Sequence, residues 1–337
     1  MGKTKEQRKF RKNTLQFVAK VVEIGQHQLV FDQINEENSL STFTEILLQW
    51  LVNMAGSSYR PFRHIATLIT MAVQSALVGI RVRISAEQQT THRQLEAEQS
   101  RLFKSRRNNR ESARGEQLRT RVATLTEQDE LAEAAFKAFY DTVFIYRYRD
   151  VHAIIRSECL VPLASWCRAY PASYLDTEYL RYMGWSLNDR DPRVREVALL
   201  AIAGPLIQGR PSTSNQGTVG SGVGTLSGVD SVSEDSITAG IRPFIVRFLP
   251  RLVQIAVGDV DTRVQVAALK LLSLLGKHDY LDPTARIGDI RYVKRQTGSN
   301  GEGSTKSKKN TSKRKASKRS RGSYKNSLSQ QMLEESS

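Results

Sequence analysis

The most constraining feature of the sequence is a segment that recurs. The fourteen residues "DRDPRVREVALLAI" at 189–202 align with "DVDTRVQVAALKLL" at 259–272, seventy positions later. Each copy places an Asp-rich turn before a helix that begins with Val and Arg. The 33 residues between them, at 208–240, are rich in Gly, Ser and Thr and cannot bury an apolar face. Removing them leaves a period of 37 residues.

Further copies extend the period towards the N terminus. "DVHAIIRSECLVPL" at 150–163 begins 39 residues before 189, and "RPFRHIATLITMAVQSAL" at 60–77 reads as a degenerate copy with Phe62-Arg63 in the Val-Arg place. Two helices in a repeat of about forty residues are typical of HEAT-type arrays, whose units cover their apolar faces by stacking. The sequence therefore predicts an all-α fold, a HEAT-like α-solenoid.

Helix signals support this interpretation. Asp191 can cap the free N–H groups of a helix whose first turn holds Pro192. In the 150–163 copy, Glu158 takes an apolar position and Pro162 predicts a kink. The apolar residues of the 189–202 copy recur at helical spacing at Val194, Val197, Ala198, Ala201 and Ile202.

Two segments differ from the repeats. Residues 85–135 are charge-rich and free of proline, which predicts long helices with a hairpin near 108–115 that projects from the array. A solvated charged helix without a partner fits the same pattern. Residues 291–325 carry thirteen Lys or Arg against one Glu, in a chain whose net charge is +16. This composition predicts a disordered basic C-terminal tail and a polyanionic partner.

The predicted organisation has six parts. They are N-terminal helical repeats at 1–84, long charged helices at 85–135, HEAT repeats at 136–207, a disordered insertion at 208–240, a further HEAT repeat at 241–286 and the disordered basic tail at 287–337.

The sequence offers no pattern of catalytic or metal-binding residues. Its five histidines include no helix-spaced ligand pair, and the glycines at 220–228 miss the dinucleotide-binding spacing. Cys159 and Cys167 lie eight residues apart, too far for a mutual disulfide on an intact helix, and are expected to be small buried thiols in a reduced compartment. The apolar run at 65–80 is too short to span a membrane and lacks a cleavage pattern. We therefore expect an intracellular non-enzyme without cofactor, metal, membrane or small-molecule substrate.

Trp185 is the strongest candidate for a binding residue. It falls off the apolar stripe of its helix, and it should neighbour the segment 242–256, which offers Arg247. With Arg181 and Tyr182 it would form a cleft for an aromatic side chain held by cation–π contacts. Filling of a gap between repeats explains Trp185 as well, and Tyr148 in "YRYRD" is equally open. The stripe itself consists of Leu180, Met183, Gly184 and Leu187.

Two basic clusters are candidates for nucleic-acid contact or nuclear import. Near the N terminus, Arg8, Lys9, Arg11 and Lys12 stand at the start of a predicted helix, where a solvated charge run is the usual alternative. The tail resembles a nuclear import signal, although phosphate binding or simple solubilisation would use the same residues. Its basic positions are Lys308, Lys309, Lys313, Arg314, Lys315, Lys318, Arg319 and Arg321.

Several segments together resemble one family. "FIYRYRDVHAIIRSECLVPLASW" followed by "SYLDTEYLRYMGWSLNDRDPRVREVALLAI" is similar to the stromalin conservative domain of stromal antigens, the HEAT-repeat subunit of cohesin. The order Tyr-Arg-Asp, then Trp, then Tyr-Leu-x-Tyr-x-Gly-Trp carries the resemblance. "QRKFRKNTLQFV", "FRHIATLITM" and "HRQLEAEQ" extend it, so that about residues 7–275 are covered.

The resemblance implies a nuclear, chromatin-bound scaffold in sister chromatid cohesion and chromatin organisation. Its partners would be the cohesin kleisin and ATPase core, double-stranded DNA and regulators with short Tyr- or Phe-containing motifs. The motif-binding surface would map to Tyr148, Arg181, Tyr182, Trp185 and Arg247, and the DNA contacts to Arg8, Lys9, Arg11 and Lys12. A different HEAT adaptor, a nuclear transport or trafficking scaffold, fits the repeat alone equally well.

Overall fold

The computed structural model describes residues 4–31, 40–104, 113–207, 234–277 and 280. Their regular structure is entirely helical, which confirms the all-α prediction. The predicted disorder of the tail at 287–337 and of the insertion at 208–233 lies outside the described residues. In chain order the helices are α1 (Lys5–Ile24), α2 (Gln26–Leu29), α3 (Thr42–Ala55), α4 (Arg60–Lys104), α5 (Ala113–Phe139), a π-helical turn (Tyr140–Phe144), α6 (Ile145–Arg147), α7 (Ala153–Ala169), α8 (Pro171–Tyr174), α9 (Thr177–Ser186), α10 (Pro192–Ile207), α11 (Glu234–Gly258) and α12 (Thr262–Lys277).

Helix α1 begins at a reciprocal cap. The Gln7 amide N–H donates to Thr4 Oγ1 over 3.3 Å, and the Thr4 amide N–H donates to Gln7 Oε1 over 3.1 Å, so two otherwise free donors are satisfied. The helix packs along α4. Arg11 also forms an ion pair of 2.7 Å with Glu158 of α7, which accounts for an acidic residue at an apolar position of that repeat.

Helices α4 and α5 form an antiparallel hairpin. Arg81 Nε of α4 donates to Asp129 Oδ1 of α5 over 2.9 Å. Closer to the hairpin turn, Arg121 Nε of α5 donates to Glu87 Oε1 of α4 over 2.9 Å. Residues later in α4 thus contact residues earlier in α5, so the two helices run antiparallel. The expected long charged helices are present, and they have each other as partners. The turn between them lies outside the described residues.

Helix α4 has the length and composition of a membrane span, but its packing gives it another role. The most apolar window of Arg60–Phe103 is 67% buried inside the fold. Its buried residues face α1, α3, α5 and α7, as expected of a core helix that the solenoid surrounds.

The repeat units adjoin as predicted. The second helices α7, α10 and α12 lie side by side, and α9 packs against α11 in the same way. Asp191 Oδ1 accepts a hydrogen bond from the Arg193 amide over 2.9 Å, and Asp261 Oδ1 accepts one from the Arg263 amide over 2.8 Å. Both Asp-rich turns therefore cap their helices, and Val194, Ala198, Ala201 and Ile202 are buried.

In α7 and in α10 an arginine ties the turn before its own helix to the turn of the next repeat. Arg156 Nη1 donates to the carbonyls of Asp150 and Val151 over 2.8 and 3.0 Å. Its Nε and Nη2 donate to the two carboxylate oxygens of Asp189 in the following repeat, each over 2.6 Å. One side chain thus fixes two turns in register through paired, charge-assisted bonds.

The same geometry recurs on both sides of Arg156. Arg195 Nε and Nη2 bind the Asp259 carboxylate over 2.8 and 2.7 Å, and Arg63 binds that of Asp150 over 2.9 and 3.5 Å. Arg63 thus takes the position that the degenerate copy at 60–77 assigns to it. Among the described residues, the Gln265 side chain bonds within its own turn, to the Asp259 carbonyl over 2.8 Å. We call the pairs Arg63–Asp150, Arg156–Asp189 and Arg195–Asp259 the Arg–Asp ladder.

Two boundaries differ from the sequence-based expectation. Helix α4 runs without a break across residue 84, and α11 begins at Glu234, inside the predicted insertion. Helix α7 continues through Pro162. The domain division itself remains a prediction.

Candidate docking site around Trp185

A column of aromatic rings leads from the core to the surface at Trp185. The π-helical turn and its neighbours carry aromatic residues at every fourth position, so that successive rings stack on one face. The ring centroids lie 5.9, 4.6 and 6.2 Å apart, and Tyr148 stacks in turn on Trp185 at 6.3 Å. The first four rings of the column are Phe136, Tyr140, Phe144 and Tyr148.

Tyr182 packs beneath the outer end of this aromatic column, where Tyr148 meets Trp185. Its ring meets Tyr148 edge-on at 4.6 Å and Trp185 at 5.5 Å, and the residue is only 4% exposed. The predicted site residue Tyr182 therefore holds the surface rings in place and does not form the surface. Its hydroxyl accepts a hydrogen bond of 3.1 Å from Arg181 Nη2. Because of this bond, the Arg181 guanidinium lies 5.7 Å from the Trp185 ring.

Trp185 itself is 46% exposed, in keeping with its place off the buried stripe of α9. The stripe residues Leu180, Met183, Gly184 and Leu187 are all buried. A half-exposed indole offers aromatic surface to a second aromatic group or to a cation.

Arg247 joins the cluster indirectly. It is exposed on α11, with its guanidinium 5.8 Å from the ring of Phe248. Phe248 packs against Gly184, the residue before Trp185. The sequence placed this segment of α11 beside α9 correctly, and the structure adds Phe248 as the contact between them.

A groove of about 910 Å³ opens beside Trp185 and runs along the Asp-rich turns. Its lining includes the aromatic residues Tyr148 and Trp185 together with Arg190 and Pro192. Sequence reasoning missed Arg149, which is exposed and lies 5.5 Å from the Tyr148 ring. Its alternation with the tyrosines in "YRYRD" was the available signal. Cations therefore flank the aromatic surface from the turn after α6, which holds Arg149, and from α9, which holds Arg181.

Titration does not alter this surface near neutral pH. Burial is the largest influence on Tyr148 and raises the pKa of its hydroxyl above the ordinary value. Burial also raises the pKa of Tyr140, deeper in the column. Both phenols thus remain neutral, so the positive charges beside the rings are those of the arginines, and the groove also holds the carboxylates of the Asp-rich turns.

The basic N-terminal cluster lies on α1, away from these rings in the sequence. Arg8, Lys9 and Lys12 are exposed, whereas Arg11 is half-buried in its ion pair with Glu158. Three of the four predicted DNA-contacting residues thus have free solvent faces. The basic tail residues from Lys308 to Arg321 lie outside the described residues.

Comparison with known proteins matches two family models, the STAG domain over residues 1–121 and the stromalin conservative domain over residues 149–210. Among curated relatives, cohesin subunit scc-3 of Caenorhabditis elegans is 32% identical over 58% of this chain and 17% of its own length. Cohesin subunit SA-1 of Xenopus laevis is 30% identical over 58% and 14%, and psc3 of Schizosaccharomyces pombe is 26% identical over 75% and 23%.

A solved structure of the cohesin subunit Scc3 from Z. rouxii has the same fold. It superposes with a TM-score of 0.62 at 22% identity, over 81% of this chain and 26% of that one. The chain therefore spans less than a quarter of the length of the curated relatives named above. Together the two domain models cover most of the residues from α1 to α10, and on these matches the chain belongs to the stromalin family.

Proposed function

We propose that this chain is a non-enzymatic scaffold subunit of a cohesin-type complex, working on chromatin in the nucleus. Three relatives carry the name cohesin subunit, which supports a role beside the kleisin and the ATPase core. Its proposed activities are capture of short Tyr- or Phe-containing motifs of partner proteins and contact with double-stranded DNA. Both serve sister chromatid cohesion and chromatin organisation.

The observation that carries the motif-binding proposal is the half-exposed Trp185. A tryptophan side chain is usually mostly buried, and here Trp185 is 46% exposed while Tyr148 and Arg181 hold its position. A Phe or Tyr side chain entering the groove would bury its ring against the indole, with Arg149 and Arg247 at the rim. Such anchors are common binding hot spots.

A matched set of peptides tests this proposal. Fluorescent decapeptides of Gly and Ser carrying a central Phe, Leu or Ala are titrated against the full chain by anisotropy. The Phe peptide should bind most tightly, and Trp185→Ala should weaken it about tenfold or more. Trp50→Ala is the control, because Trp50 is 68% exposed on a different helix. Equal weakening by both variants would contradict the assignment.

DNA contact is proposed for Arg8, Lys9 and Lys12 on α1, with the tail as a second source of charge. Duplex affinity that falls with salt and survives deletion of residues 291–337 supports a DNA surface on the solenoid. Affinity that disappears with the tail assigns all binding to the tail, and then favours a different HEAT adaptor.

The proposed place in the complex is tested by co-purification. The full chain, tagged and expressed in cells of its source, should recover kleisin and the cohesin ATPases. Because the chain spans a small part of its relatives, the alternative outcome is recovery of motif-bearing regulators without the kleisin. That result would support the docking function and would contradict the proposed role as a subunit of the complex.

A further inference from the structure

Helix α12 exposes a leucine at a position that the second helices of the two preceding repeats bury. Leu160 of α7 and Leu199 of α10 are 0 and 1% exposed, and each stands in a helix against which the next repeat packs, α10 in one case and α12 in the other. Leu269 occupies the equivalent position of α12 and is 55% exposed. Its exposure thus marks a repeat face that is covered elsewhere in the array.

Leu269 lies on the side of α12 opposite the preceding repeat. Ala267 of α12 lines a groove together with Glu196 and Leu200 of α10, which marks the side towards that repeat. At about 100° per residue, Leu269 lies about 160° around the helix from Ala267. Leu272 lies beside Leu269 and is only partly buried. The two leucines therefore share the side of α12 that faces away from α10.

Helix α11 is apolar on the same side. Phe248 packs against Gly184 of α9, the first helix of the preceding repeat. Val246 and Val257 lie about 160° and 180° around α11 from Phe248, and they are 65 and 57% exposed. Val253 lies on the same face and is half-buried. We call the surface formed by Val246, Val253, Val257, Leu269 and Leu272 the open face.

The ladder position of α12 favours an apolar neighbour over another Asp-turn repeat. Gln265 stands at this position, and its side chain bonds to the Asp259 carbonyl of its own turn. Arg156 and Arg195 each bind the carboxylate of the next turn through two nitrogens. A neutral amide with a single nitrogen cannot make such paired, charge-assisted bonds. The open face therefore fits a segment that binds through apolar contacts.

The chain leaves the last repeat at the edge of the open face. The Tyr280 amide donates to the Leu275 carbonyl over 3.1 Å, and the Tyr280 ring lies 5.9 Å from the Arg242 guanidinium. Arg242 is one turn before Val246 on the same side of α11. Tyr280 is only 7% exposed. The sequence that follows is therefore attached to a buried anchor beside the open face.

The composition of residues 281–294 suits a segment that covers an apolar face. These fourteen residues hold five large apolar side chains, and no other follows before Tyr324. Asp282-Pro283 repeats the Asp-Pro pair at the start of α10, a signal for the first turn of a helix. The five apolar residues are Leu281, Ile287, Ile290, Tyr292 and Val293.

The length of this segment matches the open face. Ile290 is ten residues beyond Tyr280, which is roughly 15 Å along a helix at about 1.5 Å per residue. Leu269 is eleven residues before Tyr280, roughly 16 Å back along α12 by the same rise. A helix that turned back after Tyr280 would thus bring Ile290 to the level of Leu269.

We propose that residues 281–294 bind the open face of the same chain, antiparallel to α12, with Ile290 against Leu269. Because the segment is tethered at Tyr280, its effective concentration at this face is far above that of a second copy in solution. Repeat arrays need such capping elements, since an uncovered repeat face exposes core positions to water. The cap closes the open face to end-to-end association, and it depends neither on the groove at Trp185 nor on DNA contact.

Disulfide trapping tests the inference on the full chain. Under mild oxidation, Leu269→Cys/Ile290→Cys should form a disulfide within one chain, detected as a linked pair of proteolytic peptides by mass spectrometry. Lys270→Cys/Ile290→Cys is the matched control, because Lys270 is as near in sequence but lines the groove towards α10. It should form much less disulfide. The native thiols are buried and should not compete.

Two results of this trapping would overturn the proposal. Equal disulfide yields from the two pairs would mean that the segment does not bind the open face. A disulfide between two chains in the Leu269→Cys/Ile290→Cys variant would identify a second copy as the occupant instead.

Thermal unfolding provides a second measurement. Leu269→Ser should lower the melting temperature by about 4 °C, because it removes an apolar side chain that the segment covers. Leu200→Ser should lower it much less, since Leu200 is 57% exposed on α10 and outside the open face. Ile287→Ser/Ile290→Ser should destabilise like Leu269→Ser, and the triple variant should add little because all three substitutions remove one contact. Equal small effects of the two leucine variants, or fully additive effects, would contradict the proposal.

Discussion

Gly184 lies directly under the ring of Phe248, so that a β-carbon on Gly184 would stand 2.2 Å from Phe248 Cζ. Real side chains do not approach so closely, which means that only glycine lets α9 and α11 meet at this distance. Trp185 is the next residue on α9, and Arg247 the residue before Phe248. The spacing of the two helices and the geometry of the candidate docking site therefore depend on the same contact.

Gly184→Ala should lower the free energy of unfolding by about 2 kcal/mol, because the methyl group must displace an aromatic ring in a packed interface. It should also weaken the Phe peptide by moving Trp185 relative to Arg247. Gly79→Ala is the control, since nothing lies within 4 Å of a β-carbon there. Within α4 that substitution should raise stability by about 0.5–1 kcal/mol. Urea denaturation measures the free energy of unfolding of both variants. Equal changes in the two variants would contradict the packing argument.

Arg195→Ala should destabilise the chain by about 3 kcal/mol. The side chains of Arg195 and Asp259 are 12 and 5% exposed, so the substitution leaves a carboxylate without its partner in a poorly solvated place. Arg263→Ala is the comparison, because Arg263 is 64% exposed in its pair with Asp261 and should change stability little. Thermal unfolding followed by circular dichroism separates the two. A small effect of Arg195→Ala would mean that the ladder sets register without adding stability.

The ladder should make the fold sensitive to acid. Burial tends to raise the pKa of Asp259, but hydrogen bonds from Arg195 and from the Asp261 amide outweigh it and leave that pKa lowered. Burial of Asp150 is outweighed in the same way by Arg63 and the His152 amide, and its pKa is also lowered.

A carboxyl with a lowered pKa binds fewer protons in the folded state than in the unfolded one. Its stabilising contribution is therefore complete above the ordinary aspartate pKa of about 4, and it is lost as the pH falls through the lowered value. The double variant Arg195→Gln/Asp259→Asn removes one such carboxyl. Between pH 5 and pH 2 its free energy of unfolding should fall less steeply than that of the parent chain, as followed by urea titrations. Parallel pH profiles would contradict this reading.

Tyr182→Phe separates support of the docking site from the site itself. The variant keeps the ring that contacts Tyr148 and Trp185 but removes the hydroxyl that accepts from Arg181. Stability should fall by about 1 kcal/mol, and affinity for the Phe peptide should fall several-fold because Arg181 is no longer held over the indole. Unchanged affinity would show that the position of Arg181 does not matter to the ligand.

The sequence predicted those features that follow from local periodicity. The repeat, its capping residue Asp191 and the exposure of Trp185 all depend on the spacing of residues within one or two helices. The Arg–Asp ladder was not predicted, although Arg63, Arg156 and Arg195 occupy equivalent positions in their repeats. Its bonds join a helix to the turn of the next repeat, and no spacing within a repeat contains that contact.

The burial of Tyr182 could not be inferred for a related reason. Tyr182 lies one turn before Trp185 and Ser186 on α9. The aromatic column from α5 and the π-helical turn covers its side chain. Likewise the pairing of Arg11 with Glu158 depends on how α1 crosses α7. These are contacts between elements distant in sequence, and one sequence considered by itself carries little information on them.

The ion pair between Arg11 and Glu158 leads to a prediction for DNA binding. If the exposed cations of α1 contact phosphates, Arg8→Ala, Lys9→Ala and Lys12→Ala should each weaken duplex affinity at low salt and reduce the slope of log affinity against log salt by about one. Arg11→Ala should alter neither by as much, because its guanidinium is already bound to Glu158 2.7 Å away. The measurement is anisotropy of a labelled duplex of mixed sequence with the chain lacking residues 291–337, so that the tail does not mask the result. Glu158→Gln supplies the converse test: it frees Arg11 from its carboxylate and should raise duplex affinity, and a variant set in which all four cations behave alike would contradict the assignment of Arg11 to the fold.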